Sequence, residues 1–204
     1  MRIGGPWLAF PDVNGVIETI LGRNAGLLSY QAHAHLDVEQ VTFPYLHPVL
    51  DGTVYYSSPG YVVYDFPNTP SYLQGITRVE GAVGMASRWR ECYNITLLEK
   101  PNAYVLRMVP KIRGEVSEMD VTVDKTTANP QFFQWSYYNP GDSVTLAQTF
   151  ELANGFNVVT AQYSEITKHH IRAKARANFD TFVYNFAVPT PTATPSDPLH
   201  HCDN

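Results

Sequence analysis

The sequence predicts a mainly β fold with a little helix, built on an antiparallel sheet of about ten strands. Three observations carry that prediction. Apolar residues recur with a period of two through most of the chain, as in Tyr30, Ala32, Ala34, Leu36 and Val38 alternating with Gln31, His33, His35, Asp37 and Glu39. Turn signals separate the alternating runs at short spacing, which leaves no room for the helical crossovers of a parallel sheet. Only two stretches, one near the N-terminus and one inserted among the strands, carry helical spacing.

The first helix starts at Asp12, whose side chain can cap an unpaired backbone N–H. Val13, Val16, Ile17, Ile20 and Leu21 then share one face, and Leu27 and Leu28 extend the pattern. Gly15, Gly22 and Gly26 weaken its intrinsic helicity, so packing against an apolar surface must hold it. The strands predicted next are Tyr30–Phe43, then Thr53–Ser57 and Tyr61–Phe66 about the turn Ser58-Pro59-Gly60. A helical insertion follows over Thr69–Trp89, with Thr69-Pro70 as cap and first turn; Tyr72, Leu73, Ile76, Val79 and Val83 are its apolar contacts, and Gly75, Gly81 and Gly84 break it. Strands resume at Glu91–Glu99, Tyr104–Pro110, Glu115–Asp124, Gln131–Asn139, Val144–Leu152, Asn157–Thr167 and from Ile171 to Ala187. The Pro- and Thr-rich residues 188–204 cannot pack a core and are expected to be disordered, which leaves 1–187 as a single domain.

Composition narrows the function. The chain has 204 residues, 44% of them hydrophobic and 16% charged, with a formal net charge of -5. A chain of this length can bury roughly 70% of its unfolded surface, and the acidic balance argues against a nucleic-acid partner, which would need a basic face. No window approaches the ~18 consecutive apolar residues of a transmembrane segment. The two cysteines, Cys92 and Cys202, exclude a disulfide-dense scaffold and a thiolate zinc cage. Cys92 reads as a small buried hydrophobe or as one half of a Cys92–Cys202 bridge. The first residues, Met1 to Trp7, lack the apolar core of a signal peptide, so either the protein is cytoplasmic or a leader has been removed.

The order of elements is familiar. A capped helix runs into a strand through Arg23-Asn24-Ala25-Gly26-Leu27-Leu28-Ser29-Tyr30-Gln31-Ala32, and the Gly-x-Val-Tyr-Tyr hairpin of Gly52–Tyr56 and the helical insertion follow. Strands then carry Tyr104-Val-Leu-Arg-Met-Val-Pro110 ahead of Met119-Asp-Val-Thr-Val-Asp124. Over roughly Pro11 to Ala187 the chain resembles the LolA-like superfamily of bacterial lipoprotein carriers and their relatives, among them LolB, RseB and the LprG- and LppX-like lipid carriers. The resemblance implies a curved antiparallel half-barrel, not closed, whose concave face is covered by the N-terminal helix and the helical insertion. It implies a non-enzymatic carrier or chaperone of lipid or lipoprotein acyl chains in the periplasm or elsewhere outside the cytoplasm. Partners would be an inner-membrane donor or another envelope protein, and the second reading it offers is an envelope stress sensor or scaffold that docks a protein. Three features depart from the family. No cysteine stands near the N-terminus as in the lipid-modified relatives, the family's buried basic residue on an early strand has no match, and the Pro/Thr tail replaces the C-terminal extensions of some members.

The candidate cavity lining comes from alternation. Phe133, Trp135 and Tyr137 share one face of their strand, as do Leu106 with Tyr104 and Met108, and Met119 with Val121 and Val123. With Tyr30, Leu36, Tyr64 and Phe66, and with Leu73, Ile76 and Val83 from the cover, these residues are either ordinary core or the wall of an acyl-chain cavity. On the opposite face, His33-x-His35 followed by Asp37 and Glu39 has metal-ligand character, but same-face neighbours lie roughly 6.5–7 Å apart along a strand, so a solvated outer face is expected instead. His169-His170 would point to opposite faces if extended. His200-His201-Cys202-Asp203 lies in the tail, and Glu115, Glu118 and Asp120 lie on a wet face or an edge. Asn94-Ile95-Thr96 matches a glycosylation sequon, a tripeptide short enough to recur by chance. No nucleophile elbow, His-Glu-x-x-His, glycine-rich phosphate loop or Cys-x-x-Cys occurs, so neither an enzyme nor a cofactor is expected.

Overall fold

The computed structural model describes residues 12–58, 61–67, 69 and 86–185. Helix α1, Val13–Gly22, begins where Asp12 Oδ1 accepts a hydrogen bond from Gly15 N at 2.7 Å. It buries Val16, Ile17 and Ile20. The apolar spacing does not continue to Leu28: Gly26 takes φ +87°, a left-handed conformation that glycine adopts at no steric cost, and the helix has already ended. Leu27 is buried elsewhere and Leu28 is 68% exposed.

Ten strands follow: β1 (Ser29–Gln40), β2 (Val49–Ser57), β3 (Tyr61–Asp65), β4 (Tyr93–Glu99), β5 (Ala103–Pro110), β6 (Val116–Asp124), β7 (Pro130–Tyr137), β8 (Ser143–Ala153), β9 (Phe156–Lys168) and β10 (Ile171–Tyr184). They make one curved antiparallel sheet in the order β3-β2-β1-β10-β9-β8-β7-β6-β5-β4. Strands β4 to β10 meander, and β10 then pairs with β1, so the first and last strands are neighbours inside the sheet. The edges are β3 and β4, which do not pair; the sheet is open, and residues 66–92 connect one edge to the other.

Several expectations are corrected in detail. The first strand stops at Gln40, not Phe43, because Phe43 N donates to Gln40 O and starts a turn. Glu91 is not in a strand: Ala86–Arg88 is a 3₁₀ turn and Trp89–Cys92 a short helix, α2. His169 and His170 are not extended, since both have positive φ, 50° and 68°, and form the tight turn between β9 and β10. Pro59, Gly60, most of the insertion with Leu73, Ile76 and Val83, and residues 186–204 lie outside the described residues.

The concave side holds two apolar clusters. In one, Val16, Ile17 and Ile20 of α1 and Trp89 of α2 pack on Leu106, Met108, Met119, Val121, Phe133, Trp135 and Leu146. The other gathers Tyr30, Ala32, Ala34, Leu36 and Val38 with Val54, Phe66, Val158, Ala175, Ala177 and Phe179. A bulge between β1 and β10, where Thr181 has φ +54°, shifts the alternation so that Phe182 and Tyr184 rejoin the same cluster as Phe179. Helix α1 is fastened to α2 by Arg90, whose Nη2 donates to Asn14 O and Glu18 Oε1 at 3.1 and 2.7 Å. Cys92 is buried and disulfide-bonded; the chain's other cysteine, Cys202, lies outside the described residues.

Candidate functional site

Between the two clusters runs a seam that apolar packing does not close. Gln148 on β8 and Gln162 on β9 are direct cross-strand partners, and both face the concave side in the middle of the sheet. Tyr64 donates its hydroxyl to Gln162 Oε1 at 3.2 Å. A β8–β9 bulge after Thr149 brings Val159 opposite Phe150 on the same wall. The remaining described lining comes from Ile20, Leu21, Arg23 and Asn24 at the end of α1, from Tyr30, Val54, Tyr56 and Val62, from Ala86 and Trp89, and from Pro130 and Phe179. The seam is partly open, and its free space is about 70 Å³. That is less than half the ~150 Å³ of an apolar cavity able to admit one benzene ring.

The end of α1 is held over this seam by two residues. Asn24 Nδ2 donates to Asn157 O at 2.8 Å and Asn24 Oδ1 accepts from Asn157 N at 2.8 Å, a reciprocal pair that ties the helix terminus to β9. Arg23 Nη1 donates to Ile20 O at 2.6 Å and so caps one of the last helix carbonyls. The Arg23 guanidinium lies 5.8 Å from the Phe150 ring centroid, and its Nε is buried without a hydrogen-bond partner. Burial pulls the arginine pKa down, opposed by the nearby Tyr56 and Tyr30. The same burial drives both tyrosine hydroxyls up, Tyr30 the further. The buried Trp89 Nε1 also lacks an acceptor.

No protein-family model and no curated protein matches the chain. Solved structures do. A domain from Vibrio parahaemolyticus, titled an outer membrane lipoprotein-sorting protein domain, matches with TM-score 0.61 and 12% identity over 85% of this chain and 92% of its own. A DUF1329 family protein from Desulfovibrio piger matches with TM-score 0.64 and 11% identity, covering 88% and 96% of the two chains. A LolA superfamily protein from Nitrosomonas europaea matches with TM-score 0.61 and 12% identity, covering 87% and 95%. The fold is LolA-like. At these identities the likeness concerns the path of the backbone, and the residues of the seam belong to this chain.

Within the LolA-like sheet, the sequence-predicted lining is divided between three places. Tyr30 and Tyr64 line the seam. Leu36 and Phe66 are buried in the Tyr30 cluster; Leu106, Met119, Val121, Phe133 and Trp135 are buried in the α1 cluster, and Tyr137 packs at its margin. Leu73, Ile76 and Val83 are outside the described residues. Sequence alternation missed Arg23, Asn24, Tyr56, Trp89, Gln148, Phe150 and Gln162. Tyr56 joins Tyr30 only through the β1–β2 register, which sets the two residues opposite each other.

The convex face is polar. His35 Nδ1 is 2.9 Å from Asp51 Oδ1, His33 reaches Asp51 and Asp180 at 3.5 and 3.4 Å, and His47 Nε2 is 2.6 Å from Asp37 Oδ1. The His35 contact holds the Asp51 carboxyl below its ordinary pKa. Among the described residues no group of three or more His, Cys, Asp or Glu is placed to hold a metal. Asp120 and Glu118 both pair with Arg107, and Glu115 with Lys168, so these carboxylates are engaged in ion pairs.

Proposed function

We propose that the protein is a non-enzymatic envelope carrier that holds an acyl chain of a lipid or lipoprotein between the concave sheet and its helical cover. The observation that carries this reading is the seam itself: an open apolar sheet, covered by a helix, with a gap where cover and sheet meet. The likeness to a lipoprotein-sorting protein domain supports it. So does the disulfide at Cys92, which suits an oxidising compartment such as the periplasm. Among the described residues no helix is long and apolar enough to cross a membrane, and in this reading the ligand passes to or from a membrane donor or another envelope protein.

The gap is too small for a whole acyl chain, so binding displaces part of the cover. Helix α1 buries three side chains, Val16, Ile17 and Ile20, worth roughly 1.5–3 kcal/mol each. A ligand burying about 14 methylenes at ~0.8 kcal/mol each gains more than α1 loses. The test is native mass spectrometry of the purified protein, with lipid extraction and titration with a fluorescent fatty acid. Bound lipid or saturable uptake supports the carrier; a bare polypeptide mass with no uptake contradicts it. The tight filling of the α1 cluster favours one other reading, a sensor or scaffold whose LolA-like sheet docks a protein; that molecule would take up no acyl chain.

A further inference from the structure

Two residues that line the seam each carry a buried N–H without an acceptor. Arg23 Nε has no partner and Trp89 Nε1 has none, and both residues line the same space. Arg23 is moreover a half-buried cation whose Nε is shut off from solvent. Its surroundings are the Tyr30 and Tyr56 rings and the face of Phe150, and no carboxylate pairs with it among the described residues. The other arginines that form ion pairs do so at exposed sites: Arg90 with Glu18, and Arg107 with Glu118 and Asp120. A half-buried cation without a counter-ion and a buried N–H without an acceptor both carry a desolvation cost. An oxyanion removes both penalties at once, because a guanidinium and an indole N–H are donors only.

We propose that the ligand of the seam carries an anionic head, a carboxylate or a phosphate, and that Arg23 binds it with help from Trp89 Nε1. The proposal rests on the acyl-carrier reading and adds to it a polarity. The head sits at the seam beneath the end of α1, and the hydrocarbon runs from there along the concave face. With Nη1 bonded to Ile20 O, Nε and Nη2 remain as the adjacent pair of donors that a carboxylate or phosphate can bridge.

Isothermal titration calorimetry of the full chain with laurate, monododecyl phosphate and 1-dodecanol tests this, because the three share one tail and differ in the head. The expected result is that at least one of the anions binds about tenfold or more tighter than the alcohol. Arg23→Gln should bring anion and alcohol within about twofold of each other, while Arg23→Lys keeps the preference. Preference for laurate points to free fatty acids, and preference for the phosphate to phospholipids. Equal binding of all three by the wild type, or a preference that survives Arg23→Gln, overturns the anionic head while leaving the acyl reading standing. If neither the anions nor the alcohol bind, both fall. Should Arg23→Gln not fold, Trp89→Phe and the wild-type comparison decide: the variant should weaken anion binding and leave the alcohol nearly unchanged, and loss of both to the same degree counts against the head site.

Discussion

Tyr30 stacks on Tyr56 across the β1–β2 ladder, with ring centroids 4.9 Å apart and planes 10° from parallel. The pair lines the seam together with Arg23, and Phe182 packs edge-on against Tyr30 at 5.6 Å. Tyr30→Ala should cost ~3–5 kcal/mol of stability through the cavity it opens. Tyr30→Phe keeps the ring and should be nearly neutral at pH 7. Because burial raises the Tyr30 pKa, its neutral form stabilises the fold, and that stability is lost as pH rises above about 10, the ordinary tyrosine value. Thermal melts from pH 8 to 11 should therefore show a shallower alkaline decline for Tyr30→Phe than for wild type; parallel curves would contradict the assignment.

Gly52 has no room for a side chain. A Cβ built there would press on the Asp65 carbonyl oxygen and lie 2.5 Å from Phe66 Cδ1. Gly52→Ala must push β3 outward at the open edge of the sheet, where no further strand supports it. The expected loss is ~1–3 kcal/mol, read as a fall in Tm of roughly 2–4 °C per kcal/mol for a chain of this size. A Tm equal to wild type would show that β3 yields freely.

Asn24 is the reciprocal hydrogen-bond tie between the end of α1 and β9. Asn24→Ala leaves the Asn157 N–H and C=O without their side-chain partner, and should cost ~1–3 kcal/mol in a chemical denaturation curve. Hydrogen exchange should speed up first in Val13–Gly22. Uniform acceleration across the sheet would argue that the bond holds the whole fold and not the helix.

Asp124 organises the turn before β7: Oδ1 accepts from Thr126 N at 2.9 Å, Thr127 N at 2.7 Å and Thr127 Oγ1 at 2.9 Å. The backbone bond from Thr127 is the chief cause that holds its carboxyl below the ordinary value. A depressed carboxylate contributes stability above about pH 4 that is lost as pH falls through its lower native pKa. Asp124→Asn should lower Tm near pH 7, and its difference from wild type should close as pH falls below 4, so that the variant's acid limb is the flatter of the two. An unchanged acid limb would remove Asp124 from the groups responsible.

How far the sequence could be read depended on which signals are local. The strands of the sheet were legible because one face is wet, so that His33, His35, Asp37 and Glu39 mark the alternation as clearly as the apolar residues do. The same face choice put Tyr30, Leu106, Met119, Phe133 and Trp135 on the buried side. Periodicity failed where the backbone departs from it, at Gly26, at the turn after Gln40 and at the left-handed His169-His170 pair. The seam was the least legible part. Arg23 and Asn24 follow a helix and read like solvated end residues, and nothing local says that a sheet lies over them. Gln148 and Gln162 become neighbours only through the β8–β9 register, and Phe150 and Val159 only through its bulge. Those relations lie in pairings between distant segments, which composition and spacing do not encode.

The most direct measurement of the account is quenching of Trp89 by a brominated fatty acid. In the variant with Trp7 and Trp135 replaced by Phe, Trp89 is the last of the three tryptophans, and it lines the seam. Titration with 9,10-dibromostearate should quench its fluorescence saturably, and unbrominated stearate should reverse the effect by competition. Fluorescence that stays constant through the titration, in a protein shown to be folded by its circular dichroism, would contradict an acyl chain beneath α1.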